Sequence, residues 1–462
     1  MNPITIPNIT IPVIGLPTIG IPSVGFPSAS GGGLVWPKDL KESIKAIYDP
    51  ASQGMTNYDV IEAYTEDFKK WNNSPEKYTG SLTSNSLALT NVSQKTALIY
   101  SPIKPYDFKV LIRGLQEGQH VKFGFDYGEL ILEADKDGVY TLEWEEGLKS
   151  YGIYTNFVGE CNITITQLPT SILKDFSGNG NHAYLYGGKG KLNSGMGVYK
   201  FDFLSDLRIN SAYLPYTERQ DDKICSLAGH PAGWLFQFTS LSDIPAFKVE
   251  VKGIVNDNFT YRWYDENGNR GVDIAINEDG IYELPMSYSV ETNTGVGIVC
   301  NDLCQDNVCF TQLPDYPNQL CYDGTMYAVC YGFPILEDYT VMADRTWFEN
   351  EGNRVFITKG NIWPNCAFVF EKINASLGSE TFSFSKSTNI DDLIGKSGIT
   401  YQTKQSYNGK IIGVGTSSDG DILLIGGQLK GEYIGCHGKI IIANRSFTEG
   451  EITWLKDNWK KI

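Results

Sequence analysis

The chain has 462 residues, a formal net charge of −16 and a sequence pI near 4.8, a length that accommodates about three domains. Such acidity argues against the basic surface expected for binding nucleic acid or an anionic membrane. Aromatic residues make up 13 % of the chain, with 27 Tyr beside 48 Gly, a mixture that predicts a mainly β protein rich in turns.

A five-residue beat opens the sequence: Pro7, Pro12, Pro17, Pro22 and Pro27, preceded in turn by Ile6, Ile11, Leu16, Ile21 and Phe26. Each proline removes an N–H donor and clashes with a preceding helical turn. Residues 1–33 are therefore expected to form an extended arm ending in a Ser/Gly hinge. In polyproline geometry its roughly thirty residues reach on the order of 90 Å. No Lys or Arg precedes Lys38, and proline interrupts every apolar run, so neither a signal peptide nor a spanning helix fits. A flexible linker and a solenoid fragment remain alternatives. The dense aliphatic groups favour an arm that docks on a partner or on sister copies, which makes these prolines and the residues before them the candidate anchoring residues.

Residues 34–75 read as a helical neck. Pro37 stands at a first helical position, with Leu40, Ile44 and Ile47 at helical spacing. Asn57 is a candidate cap for a second helix, with Ile61, Tyr64, Phe68 and Trp71 on one stripe.

Strand patterns begin at Tyr78, and then they repeat. FKVLIRGL at 108–115 returns as FKVEVKGI at 247–254, KDGVYTL at 136–142 as EDGIYEL at 278–284, and TITQLP at 164–169 as CFTQLP at 309–314. The offsets grow from 139 to 142 to 145, as they do when only loops gain residues. Alternating Val249 and Val251 against Lys248, Glu250 and Lys252 marks half-buried strands, and Asp-Gly marks hairpins. Residues 78–171 and 228–318 are thus expected to be two copies of one antiparallel β-sandwich of immunoglobulin-like size. The nine cysteines include Cys300, Cys304, Cys309, Cys321 and Cys330 but no C-x-x-C pair. Reduced thiols in strands are expected, with late-formed disulfides or a zinc site as the alternatives.

A third pattern flanks the second copy. DFSGNGNHAYLYGG, residues 175–188, is a polar turn running into a Tyr-rich strand. Asp175, Asn179 and Asn181 either satisfy their own backbone as Asx turns or supply oxygens to calcium. His182 enters the following strand. At the end of the chain, an aliphatic strand precedes a helix with a Thr448/Glu451 capping box, an Ile452/Leu455 stripe, and Trp454 and Trp459 as packing residues.

The D-x-S-G-N-G-N-H opening and the closing strand and T-x-x-E-I-x-W-L helix resemble the laminin-G/concanavalin-A-like jelly-roll superfamily. That resemblance implies a discontinuous jelly roll over residues 172–225 and 320–462, split by the second sandwich. The combination of parts, with the phrase YDPASQGMTNYDVIEAYTEDFKKW at 48–71, resembles virion proteins of Bacteroides-infecting, crAss-like phages, of head-fibre type. It implies a homotrimeric structural protein on the outer capsid surface, assembled in the bacterial cytoplasm. Its arm would be anchored to the major capsid or other capsid-associated proteins, and a distal jelly roll would face host or mucosal glycans. A tail fibre or receptor-binding protein, and a carbohydrate-active enzyme, are the alternatives.

Catalytic spacing is not visible. The four histidines, His120, His182, His230 and His437, stand in no H-x-x-x-H, H-E-x-x-H or G-x-S-x-G context. Glu133, Asp135 and Asp137 come nearest to a carboxylate pair, but Ile276, Glu278 and Asp279 in the second copy break the pattern, so a solvated hairpin is expected. No catalytic residue, cofactor or membrane insertion is expected. Trp347, Trp363 and Tyr433, each near a polar loop, are candidates for stacking on a sugar, with core packing as the competing role.

Overall fold

The computed structural model describes residues 34–55, 62–101, 106–124, 130–143, 151–187, 201–239, 243–256, 258–288, 295–348, 355–360, 366–372, 396–411, 420–427 and 432–462. The proline arm, with every candidate anchoring residue, lies outside them. The described chain is mainly β, organised as six antiparallel sheets.

Each repeat folds as two five-stranded sheets, and the strands of the two repeats enter their sheets in the same order. In the first, Phe108–Arg113 lies between Gly138–Leu142 and Gly159–Gln167. In the second, Phe247–Lys252 lies between Gly280–Leu284 and Val308–Leu313. Apolar residues alternate inward, as Phe108, Val110 and Ile112 do against Phe247, Val249 and Val251, and both inner faces close on one core.

The recurring words mark backbone obligations. The hairpin aspartates tie down a neighbouring turn: Asp137 accepts the Gly114 and Leu115 N–H groups at 3.0 and 2.9 Å, and Asp279 accepts that of Ile254 at 2.8 Å. The tyrosine hydroxyl behind each Asp-Gly reaches back four residues, Tyr140 to the Lys136 carbonyl and Tyr282 to that of Glu278. Gly114 and Gly253 adopt φ of +89° and +97°, and a Cβ there would stand 1.8 and 2.2 Å from the carbonyl oxygens of Asn162 and Asn307.

The glutamines of the TQLP words are buried clamps. Gln312 accepts from the Phe201 N–H and donates to the Phe201 carbonyl at 3.3 and 3.0 Å. Gln167, with its amide turned to match its neighbours, accepts from the Thr65 and Glu66 N–H groups and donates to the Glu66 carbonyl. Each glutamine ties the strand leaving its repeat to the segment entering it.

The other two sheets face each other as a third, larger sandwich. One contains Ile44–Tyr48, Ile434–Ala443, Thr340–Trp347 and Gly398–Thr403; the other contains Ala183–Tyr186, Tyr327–Tyr331, Ile422–Ile425 and Val355–Gly360. Three stretches build it: 34–55, 172–187 and 320–462. Both repeats are therefore insertions, the first after Ile44–Tyr48 and the second after Ala183–Tyr186. This corrects the expectation that only the second splits the unit. It also moves the boundaries. Leu207–Arg208, Thr217–Arg219 and Lys223–Ser226 are strands of the second repeat, whose core reaches back to Phe201, and Phe68 and Trp71 lie in the core of the first.

The helical neck is corrected too. Among the described residues of this segment, Leu40–Ser43 and Pro50–Gln53 are single helical turns and Phe68–Lys70 is a 3-10 turn, while Ile44–Tyr48 between the first two is a strand. A register shift between Ile44 and Ala46 resets the alternation, so Ile44 and Ile47 share one core cluster while Ala46 and Tyr48 share another. A bulge thus imitates the three-residue spacing of a helix. Asn57 and Ile61 lie outside the described residues.

Among the described cysteines, Cys225 and Cys309 are register partners in one sheet and form a disulfide, correcting the expectation of reduced thiols for that pair. Cys161, Cys300, Cys304, Cys321, Cys330 and Cys436 remain thiols. The terminal helix Glu449–Asn458 carries its capping box, with Ile452, Leu455 and Trp459 buried.

Gly253→Ala is expected to cost more than about 2 kcal/mol, since it adds left-handed strain to a collision with backbone, read as a lower urea midpoint. His437, fully buried, bonds Tyr322 OH through Nε2 at 2.9 Å, and its Nδ1 meets the Gly438 carbonyl. Burial pulls its pKa from 6.5 down to about 4. On acidification the unfolded chain takes up the proton first, so stability falls between pH 6.5 and about 4. That loss is on the order of 3 kcal/mol. Acid titration of the unfolding midpoint measures it, and His437→Gln should remove that component.

Candidate functional site

The segment that follows residues 1–33 is bolted to the third sandwich. Trp36 packs on Trp454 of the terminal helix at 5.1 Å between ring centroids, and Leu40 is buried beside Phe447 and Leu455. Ile44–Tyr48 then pairs with residues 440–443 of the long strand Ile434–Ala443, whose first half pairs with Leu320–Asp323 on the same side. Ile44–Tyr48 is consequently an edge strand. An uncovered edge offers unpaired backbone groups to any passing chain.

The D-x-S-G-N-G-N-H loop covers that edge. Asp175 Oδ1 accepts the Ile47 N–H at 2.9 Å, and the Phe176 N–H donates to the Ile47 carbonyl at 2.8 Å. Asn179 donates to the Ile44 carbonyl and Asn181 to that of Lys45, at 3.0 and 2.7 Å. Tyr48 OH closes the loop onto the Asn181 carbonyl. Asp175 also accepts the Ser177 N–H, the Ser177 hydroxyl and the Asn181 N–H. Four donors match the four lone-pair sites of a carboxylate. The calcium alternative is corrected accordingly: Asp175 holds backbone and hydroxyl hydrogens, and Asn179 and Asn181 grip the edge strand. His182 Nδ1 accepts the Asp175 N–H at 3.0 Å, and burial lowers its pKa, favouring the neutral ring that this bond requires.

A second tie was not legible as a motif. Asp49 caps Pro50–Gln53 by accepting from the Ser52 N–H and hydroxyl, and it stands 3.4 Å from Lys439 Nζ. That ammonium also donates to the Trp459 and Ile462 carbonyls. Gln53 bonds the Ile172 carbonyl and the Lys174 N–H. Residues 44–53, the last strand, the terminal helix and the covering loop are therefore joined by polar bonds.

Two of the three expected sugar-stacking residues, Trp347 and Tyr433, are core residues. Trp347 and Tyr433 are fully buried, 4.6 Å apart and edge to face. Trp347 Nε1 donates to Glu371 Oε2 at 2.7 Å, beside bonds to that carboxylate from Arg345 Nε, Thr400 Oγ1 and Tyr407 OH. Tyr433 OH bonds the carbonyls of Thr346 and Cys436. Their polar edges face this internal network, which explains aromatic residues beside polar loops without any ligand. Trp363 lies outside the described residues. Glu133 is held by His120 Nδ1 at 2.5 Å and Lys122 Nζ at 3.2 Å, bonds that lower its pKa, His120 foremost. Among the described residues no group of three or more His, Cys, Asp or Glu is arranged to hold a metal.

No family model and no curated protein matches the chain. Among solved structures, Trypanosoma rangeli sialidase aligns over 83 % of this chain and 84 % of its own at 12 % identity and a TM-score of 0.22. The same enzyme in complex with 2,3-difluorosialic acid aligns over the same shares at 11 % and 0.23. The M60 catalytic domain with the CBM51-1 and CBM51-2 domains of Clostridium perfringens ZmpB aligns over 83 % of this chain and 39 % of its own, at 8 % and 0.16. Superpositions at this level carry no argument about activity.

Asp175→Ala strands the Ile47 N–H and opens the covering loop. The expected cost is about 3 kcal/mol, with faster amide exchange in Ile44–Tyr48, while added calcium or chelator leaves the melting temperature of the parent chain unchanged.

Proposed function

We propose that this chain is a non-enzymatic structural protein of a tailed-phage particle, a homotrimeric head fibre held to capsid-associated proteins by its proline arm. In this reading the third sandwich is the laminin-G/concanavalin-A-like jelly roll, and its surface and the two repeats face outward, toward host or mucosal glycans. The observation that carries the proposal is the way the chain enters the fold. The segment following the arm is an edge strand gripped on its outer side by Asp175, Asn179 and Asn181 and pinned by Asp49 and Lys439. A pull on the arm is therefore carried by sheet hydrogen bonds of the third sandwich.

The carboxylates support a structural role. Asp137, Asp175 and Glu371 hold backbone or side-chain donors within the fold, which leaves them poorly placed for acid–base work on a bound sugar. The acidic surface agrees with a partner other than nucleic acid or membrane, and no cofactor enters the proposal.

Removing residues 1–30 is expected to leave a soluble chain with unchanged circular dichroism that no longer joins particles. Incorporation of the truncated chain at the normal level overturns the anchoring role. Antibody against residues 320–462 should decorate heads; labelling confined to the tail would move the protein to a tail fibre.

A further inference from the structure

A cleft of about 250 Å3 lies between the first repeat and the third sandwich. Leu168 from the end of the repeat, and Ile172 and Tyr184 from the facing sheet, give it apolar lining. Lys109 and its register partner Thr141 supply a polar wall, joined by Thr65 and Thr170. Apolar lining with a few convergent polar groups is the usual make-up of a small-molecule site, and the volume falls below the roughly 300 Å3 at which drug-sized pockets begin. It suits one ring, not an oligomer.

The second repeat supplies an internal control. The repeat register carries Lys109 onto Lys248 and Thr141 onto Glu283. There Lys248 Nζ stands 2.8 Å from Glu283 Oε1 across the same strand pair. In the first repeat the carboxylate is replaced by a hydroxyl beside open cleft, and Lys109 has no ion-pair partner among the described residues. Asp107, two residues earlier, also lines the cleft, so the site has little net positive charge and acts by local pairing rather than by long-range attraction.

We infer that this cleft binds a single carboxylated sugar residue of the uronate class. Its carboxylate takes beside Lys109 the place that Glu283 takes beside Lys248. Its hydroxyls meet the threonines, and its C–H face rests on Leu168, Ile172 and Tyr184. Such a charge-assisted bond is about twice as strong as a neutral one. The inference deepens the glycan-facing part of the proposed function and rests on it there alone; particle incorporation tests the anchor separately.

Saturation-transfer NMR on the full chain with D-glucuronate, and with D-glucose as the neutral counterpart, tests it. Glucuronate should bind in the millimolar range and glucose at least about tenfold more weakly, the loss of one charge-assisted bond. Lys109→Met should bring glucuronate down to the glucose level, while Lys248→Met changes nothing. Thr141→Glu, which rebuilds the second repeat's pair at an exposed strand position, should abolish binding with the melting temperature retained. Absence of transfer from glucuronate, equal binding of both sugars, or undiminished binding in Thr141→Glu overturns the inference.

Discussion

The pairing of Ile44–Tyr48 with the far end of the chain is the constraint on which the remaining architecture depends. Its partners are Ile440, Ile441, Ile442 and Ala443, so the third sandwich cannot close until nearly the whole polypeptide has been threaded between two adjacent strands. Loop-closure entropy grows slowly with length, which makes such a pairing affordable only if the intervening chain folds into units that return to their starting points. The TQLP glutamines meet that condition. Gln167 binds residues 65 and 66, and Gln312 binds Phe201, so each inserted repeat has its entry and exit stitched side by side. Adjacent termini are the general requirement for tolerating a domain insertion.

The duplication was readable because the residues that recur are those with backbone duties. An Asp that caps a turn, a Gly at positive φ and a buried amide clamp tolerate few replacements, so their words outlast the surface around them. The insertion of the first repeat was not readable, because it is defined by a strand pair between residues at opposite ends of the sequence. The strand Ile44–Tyr48 carries a helical pattern in sequence because its bulge copies helical spacing. Trp347 and Tyr433 were placed beside polar loops by their neighbours in sequence, whereas the face on which each ring lies is set by register. The D-x-S-G-N-G-N-H loop was visible as a turn; that it seals a sheet edge needed the partner strand. Cys225 and Cys309 likewise become a pair only once two strands of the second repeat are aligned.

Buried polar groups concentrate where the third sandwich has to be unique. Glu371 adopts φ of 50° and is surrounded by Arg345, Trp347, Thr400 and Tyr407. A left-handed, non-glycine backbone costs about 1–3 kcal/mol, and a buried ion pair contributes little net stability against a well-packed apolar alternative. What the cluster supplies is discrimination. A one-residue slip of either strand would leave a charge or an indole N–H without its partner, a far larger penalty than a slip in a purely aliphatic core. His437 and Tyr322 impose the same demand on the strand pair that carries them.

The two repeats show how one fold is adapted to two neighbourhoods by changing a single face. The strand that carries Lys109, Leu111 and Arg113 in the first repeat carries Lys248, Glu250 and Lys252 in the second. Leu111 joins the apolar cluster of Tyr184, Tyr186, Val329 and Leu424 on the third sandwich, and Arg113 pairs with Asp421 at 2.9 Å. In the second repeat, Lys252 pairs with Glu250 and Lys248 with Glu283, an arrangement whose charges are satisfied within the repeat and exposed to water. Exposed pairs of that kind add little stability, but they keep the face soluble and disfavour docking against an apolar partner. The inward residues of both strands are unchanged in kind, Phe-x-Val-x-Ile against Phe-x-Val-x-Val, because both cores ask the same of them. Along this strand the difference therefore lies on the outward face: one repeat packs it against the third sandwich, and the other keeps it exposed.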